Sequence, residues 1–167
     1  VYTKVVARRM LQMTASINQN WDKHVGQTGV TCWTCHRGNP VPKQVWFKGD
    51  GAQPTVGMFG YHAGQNMAGA NYTSLPKDPF SPYLTADTNI RVEGPTALPT
   101  DAHKVSVMDA EMTYSLMMQM STALGVNCNY CLNTRAIATW AESTPQRVTA
   151  WHGIRMVRDV NNVYIDP

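Results

Sequence analysis

The chain has 167 residues, room for one domain or two small ones, with 43% apolar residues, 15% charged residues and a net charge of +3. So small a positive excess argues against nucleic acid as a partner, and the low charge suits a chain that turns much of its surface towards partners or cofactors. No run approaches the roughly 18 apolar residues that a membrane-spanning helix needs, and no apolar stretch follows Arg8-Arg9 as a secretory signal would require.

The first helical pattern runs from about Lys4 to His24, with Val6, Met10, Met13, Ile17 and Trp21 spaced by three or four. The chain opens at Val1 inside this pattern, as expected of a processed or incomplete piece. Shortly after the helix comes Cys32-Trp33-Thr34-Cys35-His36, which reads as a covalent c-type haem attachment site. In such a C-x-x-C-H motif the two thiols add to the vinyl groups of one haem, and the histidine reaches the iron as proximal ligand. Haem is attached to reduced thiols outside the cytoplasm in bacteria, so the motif predicts the periplasm or the outer face of a membrane.

From Gly38 to Thr100 the chain holds eight of its ten prolines and eight of its twelve glycines. This predicts a turn-rich connection with at most short strands, such as one over Gln44 to Lys48. A connection this long is usually functional or packed on a neighbour.

A second helix is predicted from about Val107 to Leu124, with Ser106 and Asp109 resembling a capping arrangement and Gly125 as a stop. It leads into Cys128-Asn129-Tyr130-Cys131, where the next residue is Leu132, which cannot ligate iron. Three accounts of Leu132 stand open: haem tethered by Cys128 and Cys131 with a weakened or substituted ligand set, an empty site, or a misassigned histidine. A third helix starts near Ser143, where Ser143-Thr144-Pro145-Gln146 combines a capping box with an early proline. It continues through Val148, Trp151, Ile154 and Val157 and is expected to fade at Asn161-Asn162.

The two motifs belong to a repeat. Gly29-Val30-Thr31-Cys32-x-x-Cys35 and Gly125-Val126-Asn127-Cys128-x-x-Cys131 share Gly-Val-polar-Cys-x-x-Cys, each after a methionine-bearing helix and 96 residues apart. The expected fold is therefore mainly α with long irregular loops, built from repeated helix–turn–CxxC haem-binding units. The expected organisation is a first haem-binding unit over 1–38, a connecting segment over 39–100, and a second haem-binding unit with its following helix over 101–167.

All four cysteines lie in the two pairs, which argues against a disulfide framework between distant segments. A zinc site could draw on Cys32, Cys35, Cys128 and Cys131 together, but each pair in its own helix-led unit favours two independent sites. A redox dithiol of thioredoxin type follows a strand, whereas these motifs follow helices. A methionine thioether is the usual sixth ligand of an electron-transfer haem and raises its potential. Met10 lies on the helix leading into the first motif, and Met117 takes the comparable place before the second, where Met112, Met118 and Met120 compete with it. His24 follows Met10 by 14 residues, which on a continuous helix is a step of about 320° and a rise of roughly 21 Å. Two ligands so placed would suit two different haems, while the plainer reading of His24 is a partly exposed histidine near a helix end. His62, His103 and His152 have no motif around them and read as ordinary polar residues.

Several blocks resemble the multihaem cytochrome subunit of purple-bacterial photosynthetic reaction centres. They are Val5-Val6-Ala7-Arg8-Arg9-Met10 through His24, Thr28-Gly29-Val30-Thr31 through Cys32, Cys35 and His36 to Arg37-Gly38, and Leu124 through Cys128 and Cys131 to Arg135. Ser143 to Arg147, and Ala150-Trp151 through Gly153 to Asp159, are equally characteristic. The Gly/Pro-rich middle matches only loosely. The resemblance implies a tetrahaem protein of which this chain is the middle. By position it makes Met10 the methionine ligand of the second haem, Met117 that of the third, and His24 a ligand of the fourth, whose attachment motif is not in this chain. The family's first attachment motif and N-terminal lipid anchor are not in it either.

The function expected from the resemblance is electron carriage rather than enzymatic catalysis. A soluble periplasmic carrier would reduce the haem chain, which would re-reduce the photo-oxidised bacteriochlorophyll pair. The cofactor is haem c, the partners are the reaction-centre membrane subunits and the soluble donor, and the place is the periplasmic face of the photosynthetic membrane. Two rivals are a free-standing periplasmic dihaem cytochrome or haem peroxidase, and a zinc-stabilised structural module.

Overall fold

The computed structural model describes residues 2–42, 78, 80–90, 107–137 and 139–165, and every regular element among them is helical. The mainly α class read from the sequence is the one observed. The strand considered at Gln44 to Lys48 and the cap at Ser106 lie outside the described residues. The chain divides into two compact units, Val1–Gly49 with Pro145–Pro167, and Asp50–Thr144.

In the first unit, α1 spans Tyr2–Asn20. Its run of Ala, Arg, Met, Leu and Gln is rich in strong helix formers. The helix does not continue to His24 as the periodicity predicts. Trp21 leaves the helical region at φ −123° and ψ 29°, and a separate turn, α2, begins at Asp22 and ends at Val25. Asp22 suits that start, because its carboxylate accepts from the Lys23 N–H at 2.8 Å and meets the positive end of the turn. Gly26 closes α2 at φ +64°, and α3 (Cys32–His36) follows.

The last long helix of this unit covers Pro145–Val160 and, instead of fading at Asn161-Asn162, widens into a π-type turn over Asn161–Ile165. Although it follows the second motif in sequence, it packs on α1 and α2. Three ties set the register. The Arg9 guanidinium donates to the Val163 carbonyl and lies 4.8 Å from the Tyr164 ring centroid. Trp21 Nε1–H donates to Asp159 at 3.3 Å, and His24 Nδ1 meets the Thr149 carbonyl at 2.9 Å. As the first partner rises from 9 to 24 the second falls from 163 to 149, so this helix runs antiparallel to α1 and α2.

In the second unit, α4 spans Val107–Leu124, the bounds the sequence predicts. Asp78 accepts from the N–H groups of Phe80 at 3.0 Å and Ser81 at 3.1 Å, capping a π-type turn over Ser81–Thr85. That turn delivers Tyr83, whose hydroxyl pairs with Thr113 Oγ1 at 2.9 Å and the Asp109 carbonyl at 3.3 Å. Thr113 also donates to the Ile90 carbonyl at 3.2 Å, so segment 81–90 is strapped along one face of α4. The final helix, numbered α5 in chain order, is the Pro145–Val160 element of the first unit.

Both cores are small. Among the described residues the buried apolar side chains are Ile17 and Ile154 in the first unit and Tyr83 and Leu116 in the second. Each is worth roughly 1.5–3 kcal/mol of burial, which is little against the ordering entropy of units this size. Large apolar side chains meanwhile stand open, among them Tyr2, Leu11 and Trp33 in the first unit and Met108 and Leu124 in the second.

Candidate haem-attachment sites

Thr31 opens the first motif. Its N–H donates to the Thr34 hydroxyl at 3.0 Å, and its carbonyl accepts the Thr34 N–H at 3.0 Å, closing the first turn of α3. Cys32, Cys35 and His36 then stand at positions i, i+3 and i+4, which places all three on one face. Both thiols are free and exposed. Past His36 the chain turns through Arg37 in the left-handed region at φ 48° and Gly38 at φ 83°.

That turn brings Asn39 back onto the motif. His36 Nδ1 lies 3.0 Å from the Asn39 carbonyl oxygen. A carbonyl can only accept, so the ring proton sits on Nδ1 and the Nε2 lone pair is left for a metal. The Asn39 side chain donates back to the carbonyls of His36 at 3.2 Å and Arg37 at 3.3 Å, which holds the turn shut. Two nucleophilic sulfurs beside one oriented imidazole form the donor set that a covalently attached haem needs. The residues fit the group.

The motif is also tied to α1. Gly29 adopts φ +63°, and a methyl group there would lie 2.6 Å from the Asn18 amide oxygen. The Asn18 amide clamps the next residue, accepting from the Val30 N–H at 2.6 Å and donating to the Val30 carbonyl at 2.9 Å.

The second motif repeats the glycine, not the clamp. Gly125 takes φ +68° with no atom within 4 Å of a would-be methyl. Its N–H donates to the Thr122 carbonyl at 3.2 Å, and the Val126 N–H reaches the Ser121 carbonyl at 3.0 Å. These two bonds are a Schellman closure, so the motif follows α4 directly. Asn127 accepts from the Asn129 N–H at 3.1 Å, and Cys128–Tyr130 forms a single 3-10 turn. Cys128 is exposed, whereas Cys131 is half-buried and burial pushes its thiol above the ordinary range.

Leu132 occupies the place of His36, half-buried, with its N–H on the Cys128 carbonyl at 3.0 Å. Past it, Asn133 accepts from the Arg135 N–H at 3.1 Å and donates to Glu142 at 3.4 Å. The Thr144 hydroxyl donates to the Tyr130 carbonyl at 2.6 Å. The sulfur half of the donor set is present and the imidazole half is not.

Of the methionines, Met10 is half-buried near the middle of α1, with its carbonyl held by the Thr14 hydroxyl at 2.9 Å. Met117 is half-buried on α4, as are Met112, Met118 and Met120, so burial does not single it out.

His24 differs from the sequence expectation. Because α1 breaks at Trp21, the step reckoned from Met10 along one continuous helix does not describe it. His24 sits on α2 with its ring on α5, where Nδ1 meets the Thr149 carbonyl and so leaves Nε2 with the lone pair. Sequence reasoning missed three contributors: the carbonyl of Asn39, the clamp of Asn18, and the surface of α5 under the His24 ring, where Thr149 bonds Nδ1 and a methyl on Gly153 would meet Cε1. Only Gly153 carried a signal, as a glycine inside a helical pattern.

His152 makes an edge-on contact with Trp151, with ring centroids 4.8 Å apart, and His62 and His103 lie outside the described residues. Among the described residues no group of three or more His, Cys, Asp or Glu side chains could hold a metal ion, and no helix is long and apolar enough to cross a membrane.

The family model described as photosynthetic reaction centre cytochrome C subunit matches residues 1–167. The photosynthetic reaction center cytochrome c subunit of Rubrivivax gelatinosus is 53% identical over 167 residues, covering 99% of this chain and 46% of that protein. The subunit of the same name from Thermochromatium tepidum is 47% identical over 169 residues, covering 100% of this chain and 41% of its own length. That of Roseobacter denitrificans is 43% identical over 179 residues, covering 100% of this chain and 47% of its own length. The chain thus spans less than half the length of the curated relatives it matches. With the match running through both C-x-x-C units and the helix after them, the chain belongs to the photosynthetic reaction centre cytochrome c subunit family, whose members are haem c proteins.

Proposed function

We propose that this chain relays electrons within a photosynthetic reaction centre, from a soluble periplasmic carrier towards the photo-oxidised bacteriochlorophyll pair, on the periplasmic face of the membrane. The observation that carries this reading is the His36 imidazole, held by the Asn39 carbonyl with Nε2 free at the end of an exposed Cys32–Cys35 turn. Haem c would supply the one-electron iron couple there. The chain's own residues would do the rest. Cys32 and Cys35 fix the cofactor by thioether bonds, His36 gives the proximal nitrogen, and Met10 gives the thioether that raises the potential. Asn39 would fix the Nδ1–H tautomer and the orientation of the ring and raise the basicity of Nε2 as a ligand. His24 addresses a different haem from α2. Cys128 and Cys131 hold a further haem, with Met117 as its methionine and no histidine at position 132.

The rivals weigh less. Membership of the reaction-centre family favours a relay over a free-standing dihaem cytochrome or peroxidase. Cysteine pairs that each follow their own leading helix favour haem over a shared zinc centre. The test is flash photolysis of the intact reaction-centre complex carrying His36→Ala. Re-reduction of the oxidised bacteriochlorophyll pair should slow, and one low-spin haem signal should be lost. Unchanged kinetics and an unchanged haem spectrum would reject the reading.

A further inference from the structure

α5 carries a seat for the His24 imidazole. Thr149 and Gly153 stand at i and i+4, on one face of the helix. The Thr149 carbonyl accepts the Nδ1 proton at 2.9 Å. One turn on, Gly153 is buried, and the ring lies where its side chain would be. A methyl group at Gly153 would fall within 3.0 Å of Cε1, Nδ1 and Nε2 of His24 together. Glycine inside a helix costs about 1 kcal/mol relative to alanine, and φ at this position is ordinary, so backbone geometry does not call for it. The close approach of the ring does.

We infer that Gly153 is a positioning residue for His24, and that α5, through the Thr149 carbonyl and the missing side chain of Gly153, aims His24 Nε2 at the iron of a second haem. This rests on the reading of His24 as an axial ligand. The geometry also says how the seat would fail. The atoms that an added methyl meets belong to a side chain with its own rotatable bonds, not to backbone. The ring can therefore swing away while α5 stays tied to the α1–α2 junction through the Trp21–Asp159 bond. Ligation is lost before the fold is.

The experiment uses the full subunit in its reaction-centre complex, as Gly153→Ala, His24→Phe and wild type, read by stepwise redox titration and by the electron paramagnetic resonance of the low-spin haems. Gly153→Ala should shift the potential, or remove the low-spin signal, of the same haem that His24→Phe alters. The haem held by Cys32, Cys35 and His36 in the same unit should keep its wild-type potential. If His24→Phe alters one haem and Gly153→Ala leaves that haem unchanged, the seat is overturned while the ligand reading survives. If His24→Phe alters no haem, the ligand reading fails and the seat falls with it. A uniform perturbation of all haems by Gly153→Ala would mark a structural role and overturn the proposal. Should Gly153→Ala not assemble, the double variant with His24→Ala removes the clash. Restored assembly supports the seat, and continued failure overturns it.

Discussion

The two C-x-x-C units share a backbone frame and differ in what the frame is attached to. Both open on a glycine in the left-handed region, at φ +63° for Gly29 and +68° for Gly125. The first reaches its leading helix across a loop, through the side chain of Asn18. The second follows α4 through main-chain bonds, from Gly125 N–H to Thr122 and from Val126 N–H to Ser121. The first ends in an imidazole fixed by Asn39, the second in Leu132, with the chain beyond tied by Asn133, Glu142, Thr144 and Tyr130. The backbone frame of the C-x-x-C turn and the side chain that follows its second cysteine are thus separable. The turn is made by glycine and the polar residue before the first cysteine, neither of which depends on the residue at the ligand position.

Charge separates the units as well. Residues 1–49 and 145–167 carry ten Lys or Arg against three Asp or Glu, whereas residues 50–144 carry four against eight. The near-neutral total conceals a basic unit and an acidic one. A haem brings two propionates, and the basic unit is the better counterion for them.

The comparison is broken most decisively at the cysteines. Cys32→Ala with Cys35→Ala should remove one haem's mass from the intact polypeptide, and Cys128→Ala with Cys131→Ala should remove less than a full equivalent if Leu132 weakens loading. Equal losses would erase the difference between the sites. Next in size, Leu132→His should turn the second unit into a six-coordinate low-spin site, seen as a new low-spin haem signal. An unchanged spectrum would show that the frame, not the ligand, limits it. Met10→Leu should lower the midpoint potential of the first haem alone, since thioether ligation is what raises it.

Smaller effects follow from the turns. Gly125→Ala should cost about 1 kcal/mol, the price of a left-handed alanine in open space. Gly29→Ala should cost roughly 2–3 kcal/mol, because the methyl also displaces the Asn18 amide and its two bonds to Val30. Chemical denaturation of the two variants compares them directly, and equal costs would remove the clamp from the account. The smallest effect is at Cys131. Its folded thiol holds the proton to higher pH than the unfolded one, so alkylation in haem-free chain should need more alkaline solution than for an ordinary thiol. By the same sign, its contribution to stability is present at neutral pH and is lost as pH rises through the thiol range.

The local features were legible because they rest on near neighbours. The bounds of α4, the stop at Gly125, the glycine shared by both units and the C-x-x-C-H donor set all follow from spacings of a few residues. The break at Trp21 was not legible. Its side chain fits the helical period, and what favours the break is an indole bonded to Asp159, 138 residues away. The pairing of α5 with α1 and α2 was hidden for the same reason, since sequence order places that helix after the second motif.

Sequence by itself thus determined the chemistry this protein can do: four thiols in two pairs, one histidine at a ligand position and one leucine in the matching place. Covalent attachment and ligation depend on residue type and short spacing, which the chain carries openly. Only the tertiary structure decided how the imidazoles are held. Their tautomers are set by backbone carbonyls, at Asn39 and Thr149, that have no side-chain signature. His24 adds a glycine that admits its ring, and that seat exists only once α5 has folded back onto α2.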